Sequence, residues 1–423
     1  MKQLGRVFAS LKVRNFRLYF IGQAISMSGS WMQIIGQSWL VLQLTGSGTA
    51  LGMVTAFQFL PVLFLGPWGG LIADRFPKKK ILYFTQVASL ILALILGVIV
   101  ISGLVKIWMV YVLAILLGFV SVIEGPARQT FISEMVSEKD LSNAITLNST
   151  EINMARVIGP ALAGILIVFV GIGLCFIVNA LTYIAVIVAL FLMNEEELNS
   201  SPLIRKAKGQ LIEGFKYVMS SPVIRNTLIM IAIIGTLTYE FSVSIALLAE
   251  SAFHGDAGTF GLLTSAMGVG SIVGGLVVAN LRKTTPRTLV VVAFFFGVFI
   301  FAAAMAPVLW MAVFLLVISG FFSIYFTSLG NTTLQLESIP QMRGRVMALW
   351  AVVFLGSAPI GGPIVGWIGE YAGPRWSLAV GGVAAIVAAG IGAVNLKKQA
   401  IKIPKTAEIK IAEAEAEGDA RIL

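Results

Sequence analysis

Charge is scarce along this chain: 12% of its 423 residues are Asp, Glu, Lys or Arg, about half the roughly 25% usual in water-soluble domains. That shortage excludes an ordinary water-facing surface. Metal ligands and thiols are scarcer still, with one histidine, His254, and one cysteine, Cys175. A lone thiol forms no internal disulfide, and inside an apolar run it is expected to pack as a small hydrophobe. No Gly-x-x-x-x-Gly-Lys-Ser/Thr segment is present, which argues against ATP hydrolysis by a P-loop. No catalytic constellation stands out, so an enzyme, a cofactor and a metal centre are not expected.

What the chain has instead is apolar length, with 58% hydrophobic residues. Runs of roughly twenty apolar residues read as membrane helices. They fall near 17–42, 49–73, 81–103, 107–129, 143–170, 172–193, 224–249, 258–281, 288–306, 308–333, 344–370 and 375–396. The expected fold is therefore an all-α polytopic membrane protein with twelve transmembrane helices. The run from Leu18 to Leu44 is too long for a secretory signal and reads as a retained first helix.

Lys and Arg cluster on one side of that topology. Apart from Lys106, Arg375 and Arg156, every basic residue falls before span 1, after span 12, or in or next to an even-numbered connection. This places both termini in the cytoplasm of a cell (plasma or inner) membrane. The same distribution accounts for the net charge of +10, which matches attraction to anionic lipid headgroups better than binding to nucleic acid.

The chain also repeats itself. Trp108-Met109 recurs as Trp310-Met311, Gly118-Phe119 as Gly320-Phe321, and Gly159-Pro160 as Gly362-Pro363, while Gly69-Gly70-Leu71 recurs as Gly274-Gly275-Leu276. The order is collinear and the offset nearly constant. Two six-helix halves, 1–193 and 224–396, are expected around a pseudo-twofold axis along the membrane normal. The linker 194–223 holds Ile204, Leu211, Ile212, Phe215 and Met219 at helical spacing beside Arg205, Lys206, Lys208 and Lys216. It reads as an amphipathic surface helix. The tail 397–423 alternates Lys, Glu and Ala and reads as a solvated or disordered end.

Gly70-Leu-Ile-Ala-Asp74-Arg75-Phe-Pro77-Lys78-Lys79-Lys80 resembles the signature loop between helices 2 and 3 of the major facilitator superfamily, with Pro77 where that pattern has Gly. The second half keeps Gly275 but has Ala279-Asn280 in place of the acid and base, then Arg282, Lys283 and Arg287. Within the superfamily the chain resembles bacterial exporters related to enterobactin and macrolide efflux proteins. The stretches that carry this are Gly125-Pro-Ala-Arg128-Gln129, Arg156-Val-Ile-Gly159-Pro160-Ala-Leu-Ala-Gly164 and Arg343-Gly-Arg-Val-Met-Ala-Leu349. The resemblance implies alternating access and a cytoplasmic gate at Gly70, Asp74, Arg75, Lys79 and Arg128. Gly159 and Pro160 partly match a helix 5 motif of drug/proton antiporters, whereas helix 4 lacks the embedded Arg-x-x-x-Gly of many proton-coupled relatives. It also implies a monomer that handles a small molecule and exchanges protons: an exporter of amphipathic compounds such as drugs or siderophore-like metabolites. An importer of a polar nutrient and a non-transporting sensor are the alternatives.

Polar residues inside spans mark candidate sites. Gln23, Ser26, Ser30, Gln33 and Gln37 share one helical face, and Ser121, Tyr239, Ser319 and Ser323 extend the set to spans 4, 7 and 10. A polar stripe in lipid needs a cavity or an interhelical partner. Ionisable residues in spans are costly, roughly 2.5–3.5 kcal/mol each at a helix centre; they are Glu124, Glu151, Arg156 and Glu240. Glu124, Arg128, Glu151 and Arg156 are expected to cluster between helices 4 and 5. Glu240, without a basic partner in its own helix, is the sharper proton-coupling candidate beside Glu124 and Glu151.

Overall fold

A backbone in hydrocarbon has no water to bond, so each apolar segment must satisfy its own amides as a helix. The computed structural model describes residues 8–199, 210–279 and 285–419. Its long helices are α1 (Arg14–Thr45), α2 (Gly48–Arg75), α3 (Lys78–Ile101), α4 (Ile107–Met135), α5 (Glu138–Val170) and α6 (Ile172–Leu192). A short α7 (Gln210–Ser220) follows. The remainder are α8 (Pro222–Leu237), α9 (Phe241–Leu247), α10 (Ala257–Ala279), α11 (Pro286–Ala304), α12 (Leu309–Glu337), α13 (Pro340–Leu355), α14 (Ala358–Tyr371) and α15 (Pro374–Asp419). No strand occurs among the described residues.

Among the described residues, eleven segments are long and apolar enough to cross a membrane. The first helix, with 32 residues, is long enough as well, but its Gln and Ser stripe dilutes its hydropathy. Two crossings are interrupted. Thr238–Glu240 separates α8 from α9, which runs on through a π-helical turn at Leu248–Ala252. Gly356 and Ser357 separate α13 from α14. The apolar pattern predicts continuous helices at 224–249 and 344–370; both breaks fall inside spans that are apolar enough over their whole length to read as unbroken. The last helix continues to Asp419, and the Ala, Glu and Lys of its end are strong helix formers. In the linker, the expected helix is present over Gln210–Ser220, and Ile204, Arg205, Lys206 and Lys208 lie outside the described residues, as do Asn280, Arg282 and Lys283.

The sequence repeat has a packing cause. On Gly118 a Cβ would sit 2.3 Å from the Gln58 carbonyl oxygen, and on its counterpart Gly320 a Cβ would sit 1.9 Å from that of Met267. Only glycine permits helices to approach so closely, and in lipid such contacts drive association. Helices α1–α6 pack chiefly among themselves, and so do α8–α15. The two groups meet along two seams, α2 with α14 and α5 with α10. At the first seam, a Cβ on Gly52 would lie 2.1 Å from the Gly362 carbonyl oxygen. At the second, Ser265 Oγ donates to the Val157 carbonyl at 3.0 Å. Both seams lie in the half of the bundle away from the termini, because α2 and α10 begin there and α14 and α5 end there.

Candidate functional site

The polar stripe of α1 turns toward α3, α4 and α6. Gln23 Nε2 donates to the Tyr19 hydroxyl at 2.8 Å, and Ser26 Oγ lies 3.5 Å from Gln86 Oε1. Ser30 Oγ lies 3.3 Å from the Tyr183 hydroxyl. Asn179 Nδ2 donates to Gln33 Oε1 at 2.5 Å. Between these helices and α2 is a cavity of about 120 Å³ lined by Ser30, Gln33, Ile34, Gln37, Gln58, Ser89, Leu117, Ser121, Glu124 and Tyr183. At roughly 30 Å³ per water this holds a few waters. Glu124 accepts from Gln86 Nε2 at 3.1 Å on its wall. Gln23 bonds within α1, Ser26 bonds to α3, and Ser30, Gln33 and Gln37 border the cavity. Gln58, Gln86, Ser89, Asn179 and Tyr183 escape a search for long stripes. Their signal is weaker, a polar pair at helical spacing (Gln86 and Ser89, Asn179 and Tyr183) inside an apolar run.

On α12, Ser319 and Ser323 are buried and lie outside this cavity. Ser319 Oγ donates to the Leu315 carbonyl at 2.8 Å, and Ser323 Oγ donates to the Tyr239 hydroxyl at 3.1 Å. The Tyr239 hydroxyl donates in turn to the Ser323 carbonyl at 2.9 Å. Its ring centroid is 5.0 Å from that of Phe354 and 5.8 Å from that of Phe296.

The ionisable residues divide into three places. Arg128 is within electrostatic range of both Glu124 and Glu151, and its Nη1 points at the Met27 sulfur, 2.8 Å away. Arg156 is not with them, contrary to the expected four-residue cluster. Five residues along a helix turn a side chain about 140° at 3.6 residues per turn, so Glu151 and Arg156 leave different faces of α5. The Arg156 guanidinium instead stands 5.3 Å over the Trp31 ring. Gly159 makes the close α1–α5 approach possible, since a Cβ there would lie 2.5 Å from Trp31 Cβ. Glu240 sits in the break of the seventh crossing, 3% exposed. Its carboxylate points at α14, with Oε1 3.1 Å from where a Cβ on Gly361 would be and Oε2 3.5 Å from one on Gly362. Two consecutive glycines before Pro363 leave the room that this carboxylate occupies.

At the end of the bundle carrying the termini, Lys79 Nζ binds Glu195 Oε1 at 2.9 Å and the Met193 carbonyl at 3.4 Å. The ammonium holds the exposed Glu195 carboxyl below its ordinary range. Lys78 pairs with Glu134, an acid in the last turn of α4. Arg75 is exposed, Asp74 half-buried, and a Cβ on Gly70 would meet nothing. A larger groove of about 510 Å³ lies nearby, lined by Lys79, Lys80, Tyr83, Phe84, Phe191 and Glu195. It opens on the outer face of α3 and α6, where Phe84 and Phe191 are largely exposed, so it faces lipid and not the space between the helix groups. No cluster able to hold a metal ion occurs among the described residues.

Two helix groups joined by small-residue seams, with broken crossings and polar side chains at mid-membrane, define the architecture of a secondary transporter. The chain belongs to the transmembrane secretion effector family of the major facilitator superfamily, whose family model matches residues 6–416. It is a major facilitator transporter, not an enzyme. It is 28% identical to the staphyloferrin A transporter of Staphylococcus aureus, over 63% of this chain and 67% of that protein. The multidrug efflux pump Tap of Mycolicibacterium fortuitum is 24% identical over 82% of this chain and 87% of its own. The enterobactin exporter EntS of Salmonella typhimurium is 24% identical over 88% and 90%. Among solved structures, a bacterial homologue of the human lysosomal transporter Spinster, inward-facing and unoccupied, superposes with a TM-score of 0.72 at 15% identity, covering 90% of this chain and 96% of that one.

Proposed function

We propose that this protein exports small amphipathic molecules from the cell, driven by the proton gradient, by alternating access between its two halves. Lys and Arg concentrate on the face that carries the termini, which supports a cytoplasmic location for that face. In that orientation the seams join the halves on the extracellular side, and in this reading an export substrate loads from the cytoplasm. The observation that carries the coupling is Glu240: a buried carboxylate at a helix break, with no hydrogen bond or ion pair to it among the described residues. Its charge state depends on whether water reaches it, and the rocking of α14 against α2 decides that. Relatives described as a multidrug efflux pump and an enterobactin exporter support the direction. Asp74, Arg75, Lys79 and Arg128 are assigned to the cytoplasmic gate.

The test is dye accumulation in a bacterium lacking its major efflux systems, using lipophilic dyes of either charge, with and without a protonophore. Export lowers accumulation, and the protonophore restores it. Unchanged accumulation with folded protein in the membrane rejects broad efflux and favours a narrow exporter, an importer or a sensor.

A further inference from the structure

Arg156, Trp31 and Tyr239 lie near the middle of their crossings, on α5, α1 and the break between α8 and α9. Arg156 presents five donors and no acceptor. Its Nε is buried with no hydrogen-bond partner, and Trp31 is the ring beneath it. The one ionisable group acting on it among the described residues is the Tyr239 hydroxyl, from the other half. No carboxylate balances it. Arg156 is half-buried; its buried Nε is an unsatisfied donor, which carries a desolvation cost, while the ring beneath steadies the charge. The protein has therefore placed at mid-membrane a cation with an unused hydrogen-bond donor.

The facing half repeats the pattern with a second donor. Trp350 Nε1 is buried and also lacks a partner. Its ring stacks on Phe354 at 5.4 Å, and Phe354 packs against Tyr239 at 5.0 Å. An aromatic wall on one half thus runs from Tyr239 to another unsatisfied donor. Unpaired donors call for acceptors, and a guanidinium calls for an anion.

We propose that Arg156, seated on Trp31, is the recognition site for an anionic group of the transported molecule, with the Tyr239–Phe354–Trp350 wall holding its apolar or aromatic body. The substrate class is an amphipathic organic anion, a carboxylate or an ionised phenol. This rests on the transport reading above and narrows it: a purely cationic drug would meet Arg156 as a like charge.

The test uses purified full-length protein and two probes with the same ring, 1-pyrenebutyrate as anion and 1-pyrenemethylammonium as cation. Binding is read by energy transfer from tryptophan to pyrene. The intact protein should bind the anion saturably and more tightly than the cation. Arg156→Gln should weaken the anion by about tenfold or more, as expected for a charge-assisted hydrogen bond, and leave the cation no weaker. Arg156→Lys, which keeps the charge, should fall between. Tighter binding of the cation by the intact protein, which needs no variant to fold, overturns the site. So does anion binding unchanged in folded Arg156→Gln. The dye accumulation assay separates the two readings: if export persists while the anion result fails, only the anion site is lost.

Discussion

The Glu370 carboxylate accepts a hydrogen bond from Ser47 Oγ at 2.6 Å and one from the Thr49 backbone N–H at 2.9 Å. Glu370 ends α14 and Ser47 caps α2, so one side chain ties the two halves together at the rim away from the termini. A carboxylate on exposed amides of a helix N-terminus is favourable through both hydrogen bonding and the helix dipole. Glu370→Ala should weaken the closed rim and shift the population toward the opposite opening. Spin labels placed on the rim ends of α2 and α14 should report a larger fraction of long distances. An unchanged distribution would mean that the glycine seam alone holds the closure.

Small residues make that seam. Gly52→Val puts a branched side chain where even a Cβ would lie 2.1 Å from the Gly362 carbonyl oxygen. The variant should lose the closed state and several degrees of thermal midpoint, because overpacking costs about 1–3 kcal/mol. Gly70→Ala is the control: its Cβ would enter open space, so the midpoint should not move, whatever happens to transport through the signature loop. A Gly52→Val protein as stable and as closed as the parent would contradict the packing described here.

Arg128 is the cation that Glu124 and Glu151 share. Arg128→Gln should destabilise the protein, since it leaves the buried Glu151 and the half-buried Glu124 without their cation. Adding Glu124→Gln should recover part of the loss. A double-mutant cycle on thermal midpoints reads the coupling; additive effects would show that the three groups do not act together.

Much of this was legible in the sequence, for identifiable reasons. Span positions follow from the length that hydrocarbon imposes, and the internal repeat is visible because glycines such as Gly118 and Gly320 perform the same packing task. The breaks at Thr238–Glu240 and at Gly356 were not legible, since polar residues or a glycine in a span also occur in unbroken helices. Glu240 could be singled out as an unpaired acid, but the Gly361-Gly362 recess that receives it belongs to a crossing more than a hundred residues away. Arg156 was misgrouped because sequence neighbourhood suggested Glu151 as a partner, whereas helical phase directs it to Trp31. Residues such as Asn179 and Tyr183 matter only through what α1 brings to them, which one-dimensional spacing does not encode.

The central claim is that Glu240 couples proton movement to export, and reconstituted vesicles test it most directly. Dye flux under an imposed pH gradient is compared with dye exchange at equal pH, for the intact protein and for Glu240→Gln. The account predicts gradient-driven flux for the intact protein; Glu240→Gln should lose that response yet keep exchange, because the rocking halves and the cavity remain. Gradient-driven flux at full rate in Glu240→Gln would contradict the claim and move the coupling role to Glu124 and Glu151.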